Sequence, residues 1–370
     1  MKDDEEYDLV TVRRARGGVV KRETKLGREI AVKSQFHVKS GDFLISKRQI
    51  VHGACGIVPP ELDGATVSNE YAVLRSHDTL DLAYLKYLSH SIYFQQTCFH
   101  SAIGVHIEKM IFKLEEWLEW EFDLPPVPEQ IRIAKLLNTW DEAFAVGDRL
   151  IQNALKQKAA LLHELVVCSP STRKAGLTRE EFRIDEIATK RAEGFSGISS
   201  EARRCLELEH IEPETGFILA ETNTAETDST KLEFSETSVL FGKLRPYLRK
   251  FAFPGFHGVC SSEFWVLDAK RSVCLPQYLF YAVQSAPFLR AAGVSSGSKM
   301  PRADWGYVKD ATIKIPGLRE QRSIVSKLAA ADAVIRCSKD FFAQLHAERA
   351  ALIQKLLSGK HRTKALKEAA

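Results

Sequence analysis

The sequence predicts an α+β fold written twice: two mixed α/β globular domains alternating with two long helices that pair as an antiparallel coiled coil, with an internal pseudo-twofold duplication. Three observations carry it. A repeat runs through the chain at an offset near 191 residues, a heptad seam closes each half, and short apolar runs ahead of each seam end in basic turns.

The repeat is plainest where each seam begins. Leu124-Pro125-Pro126-Val127-Pro128-Glu129-Gln130 matches Ile315-Pro316-Gly317-Leu318-Arg319-Glu320-Gln321, with a proline, the glutamate and the glutamine superposed at an offset of 191. Asp141 falls on Asp332, and Ala159-Ala160-Leu161 on Ala350-Ala351-Leu352. Upstream, Ser68-Asn69-Glu70-Tyr71-Ala72-Val73-Leu74 resembles Ser261-Ser262-Glu263-Phe264-Trp265-Val266-Leu267 at an offset of 193. A period of that size is a duplicated domain, not a solenoid.

The first seam is Ile133, Leu137, Trp140, Phe144, Gly147, Ile151, Ala154, Lys158, Leu161 and Leu165. The second is Ile324, Leu328, Ala331, Ile335, Ser338, Phe342, Leu345, Arg349, Leu352 and Leu356. Eight of ten positions are apolar in each, and the exceptions coincide: a small residue at Gly147 and Ser338, a basic one at Lys158 and Arg349. Two helices packed on each other explain a register repeated with its defects; a lone core helix does not. Parallel pairing would set Lys158 against Arg349 as like charges. Antiparallel pairing sets Lys158 near Leu328 or Ala331 and Arg349 near Leu137 or Trp140, where the stems lie on apolar surface and the charges reach water. The seam midpoints then meet, so Gly147 is expected beside Ser338, and Gly147→Leu is expected to splay the pair. Ile133, Leu137, Trp140, Phe144, Gly147, Ile151 and Ile324 are the expected interface.

In the globular parts, Phe43-Leu44-Ile45 and Val239-Leu240-Phe241 read as strands ahead of the basic turns Ser46-Lys47-Arg48 and Gly242-Lys243-Leu244-Arg245-Pro246. Leu82 to Phe94 and Pro276 to Leu289 each read as one amphipathic helix. The expected boundaries are a first domain over 1–124, a long-helix repeat over 125–168 and a polar, Pro-containing linker over 169–181. A second domain over 182–315, a second long-helix repeat over 316–360 and a charged tail over 361–370 follow. The first domain is expected to be short at its N-terminus. In the second half about 23 residues, Phe182 to Arg204, precede Leu206-Glu207-Leu208-Glu209-His210-Ile211, whereas Tyr7-Asp8-Leu9-Val10-Thr11-Val12 enters at that later strand.

Composition narrows the function. With 370 residues, 45% hydrophobic and 27% charged, the chain has apolar mass for more than one core. A net charge of +4 permits nucleic-acid binding without demanding it. No apolar run approaches the ~18 residues of a membrane span, and the acidic start Met1-Lys2-Asp3-Asp4-Glu5-Glu6 is no signal peptide. Seven scattered cysteines without a C-x-x-C pair argue against a disulfide framework and a zinc knuckle, and for a reducing cytoplasm.

No catalytic set is legible. Gly293-Val294-Ser295-Ser296-Gly297-Ser298-Lys299 misses the spacing of a phosphate-binding loop. No dinucleotide fingerprint and no H-E-x-x-H occur, and the histidines are dispersed, so neither a catalytic residue nor a metal site is expected. Glu70 and Glu263 recur without a catalytic partner and read as framework carboxylates bonding backbone. What remains is basic residues in corresponding loops. The first domain offers Arg13, Arg14, Arg16, Lys21, Arg22, Lys47, Arg48, His106 and Lys109. The second offers Lys190, Arg191, Lys243, Arg245, Arg249, Lys250, Lys299 and Arg302. Any one of these ordinarily just solvates a surface. Their clustering points to phosphate clamps and base-edge readers in a DNA groove.

The Pro-x-Glu-Gln segment running into a heptad helix, present twice at this distance, together with Phe182-Arg183-Ile184-Asp185-Glu186-Ile187-Ala188, resembles the specificity (S) subunit of type I restriction-modification systems over nearly the whole chain. The resemblance implies two target-recognition domains, each reading one half of an asymmetric bipartite site in double-stranded DNA through the major groove. It implies helices that space those domains and dock two methyltransferase (M) subunits, which bind S-adenosylmethionine. Restriction/translocase (R) subunits using ATP and Mg would join for cleavage, while the S subunit itself catalyses nothing and holds no cofactor. A helix of about 38 residues is roughly 57 Å long at ~1.5 Å per residue, or about 17 base pairs at ~3.4 Å each, an upper scale for the separation of the half-sites. Two other classes stay open: a coiled-coil adaptor or decayed copy that binds protein partners but not DNA, and a nuclease with an unrecognised site. Two diverged repeats rarely both conceal one catalytic set, which favours the S subunit over the nuclease.

Overall fold

The computed structural model describes residues 2–32, 34–168, 179–191, 194–195, 203–223, 231–296 and 300–357; the charged tail, most of the linker and the candidate Lys299 lie outside them. The chain divides into two compact units, Met1–Gly147 with Phe341–Ala370, and Asp148–Asp340. Each unit therefore takes part of both long helices.

In unit 1, β1 (Glu6–Val12), β2 (Val19–Leu26), β3 (Gln35–His37), β4 (Phe43–Ser46), β5 (Cys55–Ile57), β6 (Thr66–Ser68) and β7 (Tyr71–Leu74) form two sheets, ordered β2-β1-β6-β3 and β5-β4-β7. Helices α1 (Leu82–Leu88) and α2 (Ile92–His100), the ribbon β8 (Ala102–Ile103) with β9 (Ile111–Phe112), and α3 (Leu114–Leu118) lead to the long α4 (Val127–Leu162). β4 is a continuous apolar run because both of its faces are covered. Phe43 and Ile45 enter a core with α1, α2 and the long helices, and Leu44 enters the core between the sheets. The single helix expected over Leu82 to Phe94 is two: Asp81 caps α1 by accepting from the Tyr84 amide (2.9 Å), and Ser91 starts α2 by accepting from Phe94 (3.1 Å).

Unit 2 begins within α4, which ends in a π-helical turn, His163–Cys168. Then come β10 (Glu180–Arg183), α5 (Ile184–Ile187), β11 (Ala188–Arg191), β12 (Gly194–Phe195), β13 (Arg204–Leu206), β14 (Thr222–Asn223), β15 (Lys231–Phe234), β16 (Val239–Gly242), β17 (Phe251–Ala252), β18 (Gly258–Ser261) and β19 (Phe264–Ala269). The unit closes with α6 (Pro276–Ala282), α7 (Ala286–Gly293), β20 (Ser295–Ser296), β21 (Arg302–Ala303), α8 (Trp305–Val308), β22 (Thr312–Ile315) and the first part of α9 (Leu318–Leu357). Its main sheets are ordered β11-β19-β16-β17 and β12-β15-β18-β13-β14. β16 splits its side chains between two cores as β4 does, Val239 and Phe241 to one and Leu240 to the other. Here too the expected single helix is divided, with Pro287 in the first turn of α7.

The two units repeat the same bonds. Gln130 accepts from the Asp81 amide (2.8 Å) and donates to Thr79 and Pro125 carbonyls (2.9 and 2.8 Å). Gln321 accepts from Leu275 (2.8 Å) and donates to Val273 and Pro316 (2.7 and 2.9 Å). That is why a glutamine follows the proline at both helix starts: its amide satisfies three backbone groups that the buried junction would leave unpaired. β1 runs parallel to β6 with Leu9 beside Thr66, and β13 parallel to β18 with Cys205 beside Val259. Among the described residues, β10, α5 and β11 have no counterpart in unit 1, so β7 pairs with β4 alone where β19 pairs with both β16 and β11.

All twenty seam positions are buried or half-buried. Within unit 1 the helices run antiparallel: Asp141 meets Arg349, Phe144 stacks on His346 (4.0 Å) and Gly147 meets Phe342. Within unit 2, Lys158 meets Asp332, and Leu162 and Val166 share a core with Leu328 and Ile324. Two expectations need correction. Gly147 lies under the Phe342 ring, so within unit 1 it faces a large residue rather than the small one expected. Lys158 does not reach water: it is buried and ion-paired with Asp332 (2.6 Å), whose other oxygen takes the Tyr281 hydroxyl (2.9 Å). The matching cluster in unit 1 joins Asp141 to Arg349, Lys86 (2.8 Å) and the Tyr87 hydroxyl (2.8 Å).

That cluster sets a pH dependence. Burial, then Arg16, Arg349 and Lys86, push the His90 imidazole down to about 4, with Asp141 opposing. A base whose folded pKa lies below its unfolded value, about 6.5, binds its proton more readily when the chain unfolds. Its contribution is therefore complete above pH ~6.5 and is lost as the pH falls toward 4, by roughly 1–3 kcal/mol. His90→Asn is expected to flatten this part of the stability curve; an unchanged curve would assign the acid lability elsewhere.

Candidate nucleic-acid interface

In unit 2 the β18–β19 turn presents Glu263, and two basic residues, Lys243 and Arg302, bond to it. The Lys243 amide donates to the Glu263 carbonyl (2.9 Å), and the Lys243 carbonyl accepts from Ala303 (2.8 Å), which draws β21 alongside. Arg302 then donates through Nε and Nη2 to the Glu263 carboxylate (3.0 and 2.9 Å). This bond holds the Glu263 carboxyl below the usual carboxylate range, and Glu263 in turn raises the Arg302 guanidinium. Arg245, in the left-handed region at φ 51°, donates its amide to Pro301 (2.7 Å) and points an exposed side chain from the same rim. Arg249, also left-handed, is exposed beside Glu214 (3.4 Å).

Unit 1 repeats the device with a different arginine. The Lys47 amide donates to the Glu70 carbonyl (2.9 Å), and Arg48 donates through Nε and Nη2 to the Glu70 carboxylate (2.5 and 3.4 Å). The bond to Glu70 raises the Arg48 guanidinium. Glu70 and Glu263 are thus more than framework carboxylates bonding backbone: each grips one exposed arginine through Nε and Nη2. Nearby, Arg14 pairs with Glu108 (3.2 Å), as does His52 (3.3 Å), which brings the β1–β2 turn with Arg13, Arg14 and Arg16 beside the exposed turn carrying His106 and Lys109.

Other candidates lie elsewhere. Lys21 and Arg22 are held on β2 by Asp8 (2.7 Å) and Glu23 (2.8 Å), and Lys250 donates to the Leu208 carbonyl (2.7 Å). Lys190 sits over the Trp305 ring (5.8 Å). Arg191 binds Asp268 (2.7 Å) and lines a separate cleft of about 490 Å³ with Arg203, Arg204 and His257. Arg204 stacks on Phe256 (3.3 Å) and pairs with Glu221 (2.7 Å). Sequence reasoning missed Arg203 and Arg204, whose counterparts across the parallel strand pairs, Tyr7 and Asp8, are not basic. Among the described residues no group of three or more His, Cys, Asp or Glu could hold a metal ion, and no helix is long and apolar enough to cross a membrane.

No protein-family model matches the chain. Over 122 residues, 32% of this chain, it is 27% identical to the type I restriction enzyme EcoDI specificity subunit of Escherichia coli, a stretch that spans only 27% of that relative's length. Solved structures share the fold. They include the HsdS subunit from Thermoanaerobacter tengcongensis (16% identity, TM-score 0.50, 96% of this chain and 90% of that one) and the S subunit of a type I system from M. genitalium (15%, 0.51, 96% and 90%). A further chain comes from a study of complex assembly and conformational transition of the type I system (18%, 0.60, 96% and 92%). In fold over nearly its whole length, and in sequence over about a third of it, the chain is similar to the specificity subunits of type I restriction-modification systems.

Proposed function

We propose that this chain is a non-catalytic DNA sequence-specificity subunit that reads an asymmetric bipartite site in double-stranded DNA, one half with each unit. The observation that carries this reading is the recurrence, in both units, of an exposed arginine gripped by the same turn glutamate, with different loop residues around it. Shared framework and divergent loops suit two different half-sites: Arg48 with Lys47 in unit 1, and Arg302 with Lys243 and Arg245 in unit 2. Held arginines suit phosphate oxygens and guanine O6/N7. Two M subunits and the R subunits are the proposed protein partners, in the cytoplasm, and S-adenosylmethionine, ATP and Mg belong to them. Docking has candidate surface on the long helices, where Ile131, Leu136, Val146, Leu150 and Val334 are exposed.

The test is DNA binding by the complex with M subunits as salt is varied. Lys243→Ala with Arg245→Ala is expected to reduce the slope of log affinity against log salt by about 1 for each phosphate that is no longer neutralised. If either residue reads a guanine, discrimination at one base falls instead, by ~1–3 kcal/mol. Unchanged slope and unchanged discrimination would return both to solvated surface and favour the adaptor reading.

A further inference from the structure

The loops that join β8 to β9 and β20 to β21 are rooted alike and tipped differently. The Phe112 amide donates to the Lys47 carbonyl (2.8 Å), as the Ala303 amide donates to that of Lys243 (2.8 Å), so each hairpin stands beside the glutamate-held arginine of its unit. In register with those bonds, Ile111 of unit 1 takes the place of Arg302. The unit 1 loop runs from Gly104 to Met110 and is two residues longer than Gly297 to Pro301. Its tip is preformed. Met110 is buried, the Lys109 amide donates to the His106 carbonyl (2.8 Å), and Glu108 binds Arg14 (3.2 Å) and His52 (3.3 Å). A Cβ at Gly104 would lie 2.9 Å from the Met110 Cα, so glycine is what lets the two ends of the loop approach. On this fixed tip aliphatic side chains are exposed: Val105 at 96%, Ile103 and Ile107 at 55% each and Ile111 at 41%. Cations flank them. His106 and Lys109 on the loop itself, and Arg13 next to the anchored Arg14, are exposed and form no ion pair among the described residues.

We propose that this loop reads a thymine of the unit 1 half-site, with Val105 and Ile107 packed on its C5-methyl group and His106, Lys109 and Arg13 on the flanking phosphates. This contact rests on the specificity-subunit reading and supplies it with a base. Exposed aliphatic side chains on a fixed tip gain by covering a methyl group, and thymine is the base that offers one in the major groove. Arg302, at the same rim position of unit 2, suits guanine O6/N7 or a phosphate instead, so the two units fit different base edges here. The chain's own segments do not claim this surface. Unit 2 has β10, α5 and β11, yet its matching rim still exposes Arg302 and, at 55%, Met300. The charged tail carries Lys360, Arg362, Lys364 and Lys367 against Glu368, the sign that Lys109 and Arg13 repel. Phosphate is the counter-charge that these cations lack.

The probe is a set of DNA duplexes carrying the site that M subunits methylate when joined to this chain. Each thymine in turn is replaced by deoxyuridine, which keeps the base-pairing groups and lacks the methyl. The complex of this chain with M subunits is expected to bind about fourfold more weakly when one particular thymine, in one half-site, is replaced, as the loss of one buried methyl predicts. Val105→Ser with Ile107→Ser, both at exposed side chains, is expected to bind the thymine and deoxyuridine duplexes equally and to keep the slope of log affinity against log salt. Lys109→Ala is expected to lower that slope and to keep the preference for thymine. Deoxyuridine tolerated at every position, or a loss that persists in the serine variant, would overturn the proposal and leave the specificity-subunit reading in place. So would a serine variant that binds weakly where no thymine preference existed, the mark of a wedge between base steps or of a protein contact. An unaltered complex that binds no sequence selectively would overturn that reading, and this contact with it.

Discussion

Gly147→Leu is expected to lower stability by about 1–3 kcal/mol, the range of ordinary overpacking, because the half-buried Phe342 ring occupies the space a side chain would take. A Cβ at Gly147 would lie 1.6 Å from Cζ and 1.7 Å from Cε1 of Phe342, inside the ring. To admit a side chain the ring, which has Phe144 at 6.4 Å and Phe341 at 5.8 Å, must turn away from the helix seam. A glycine inside a helix costs ~1 kcal/mol relative to alanine, and close approach to Phe342 is the packing reason that offsets it. Phe342→Ala in the Gly147→Leu background is expected to recover most of the loss, since substitutions at touching residues are not additive. Urea midpoints of the two singles and the double read this directly; a tolerated leucine, or no recovery in the double, contradicts the packing described.

Asp332→Ala is expected to be more damaging, at about 3–5 kcal/mol, because it strands a buried ammonium. The Lys158 side chain is 6% exposed and Asp332 is its ion-pair partner. The equivalent Asp141→Ala is expected to cost only about 1 kcal/mol. There the cations are wetter, Arg349 at 19% and Lys86 at 46%, and can turn to solvent. Burial tends to raise the Asp141 carboxyl, but hydrogen bonds from Lys86 and Tyr87 and the Arg349 charge overcome it and hold the group below its usual range. Asp332→Leu with Lys158→Met should be far less destabilised than either single change, since an apolar pair of similar volume removes both charges. Equal losses at Asp332 and Asp141 would show that burial of Lys158 does not set the penalty.

Much of this architecture was legible. Both seams, their pairing direction and the strands carrying Leu44 and Leu240 follow from periodicity and from one offset. The register of the helix pair did not. A heptad pattern looks alike after a slip of one turn, and the register is fixed at the helix ends, where Ile353 and Leu356 enter the core of unit 1 and Leu162 and Val166 that of unit 2. Asp332 was visible as the match of Asp141, but it lies one residue off the seam, so its role as the counter-ion of Lys158 was hidden. The split of each expected helix turned on the cap at Ser91 and on Pro287 in the first turn of α7, which amphipathic spacing does not register. The candidate site was half visible. Glu70 and Glu263 stood out by recurrence, whereas Arg48 and Arg302 come from different parts of the two repeats, and only tertiary structure brings each onto its glutamate.

The most direct test of the account is to map DNA methylation in cells that express this chain with type I M subunits, against cells that express the M subunits alone. The account predicts methylation at one new motif made of two different half-sites separated by an unread spacer. Arg48→Ala is expected to relax one half only, and Arg302→Ala the other half only. A continuous palindrome, or a single change that alters both halves together, would contradict it.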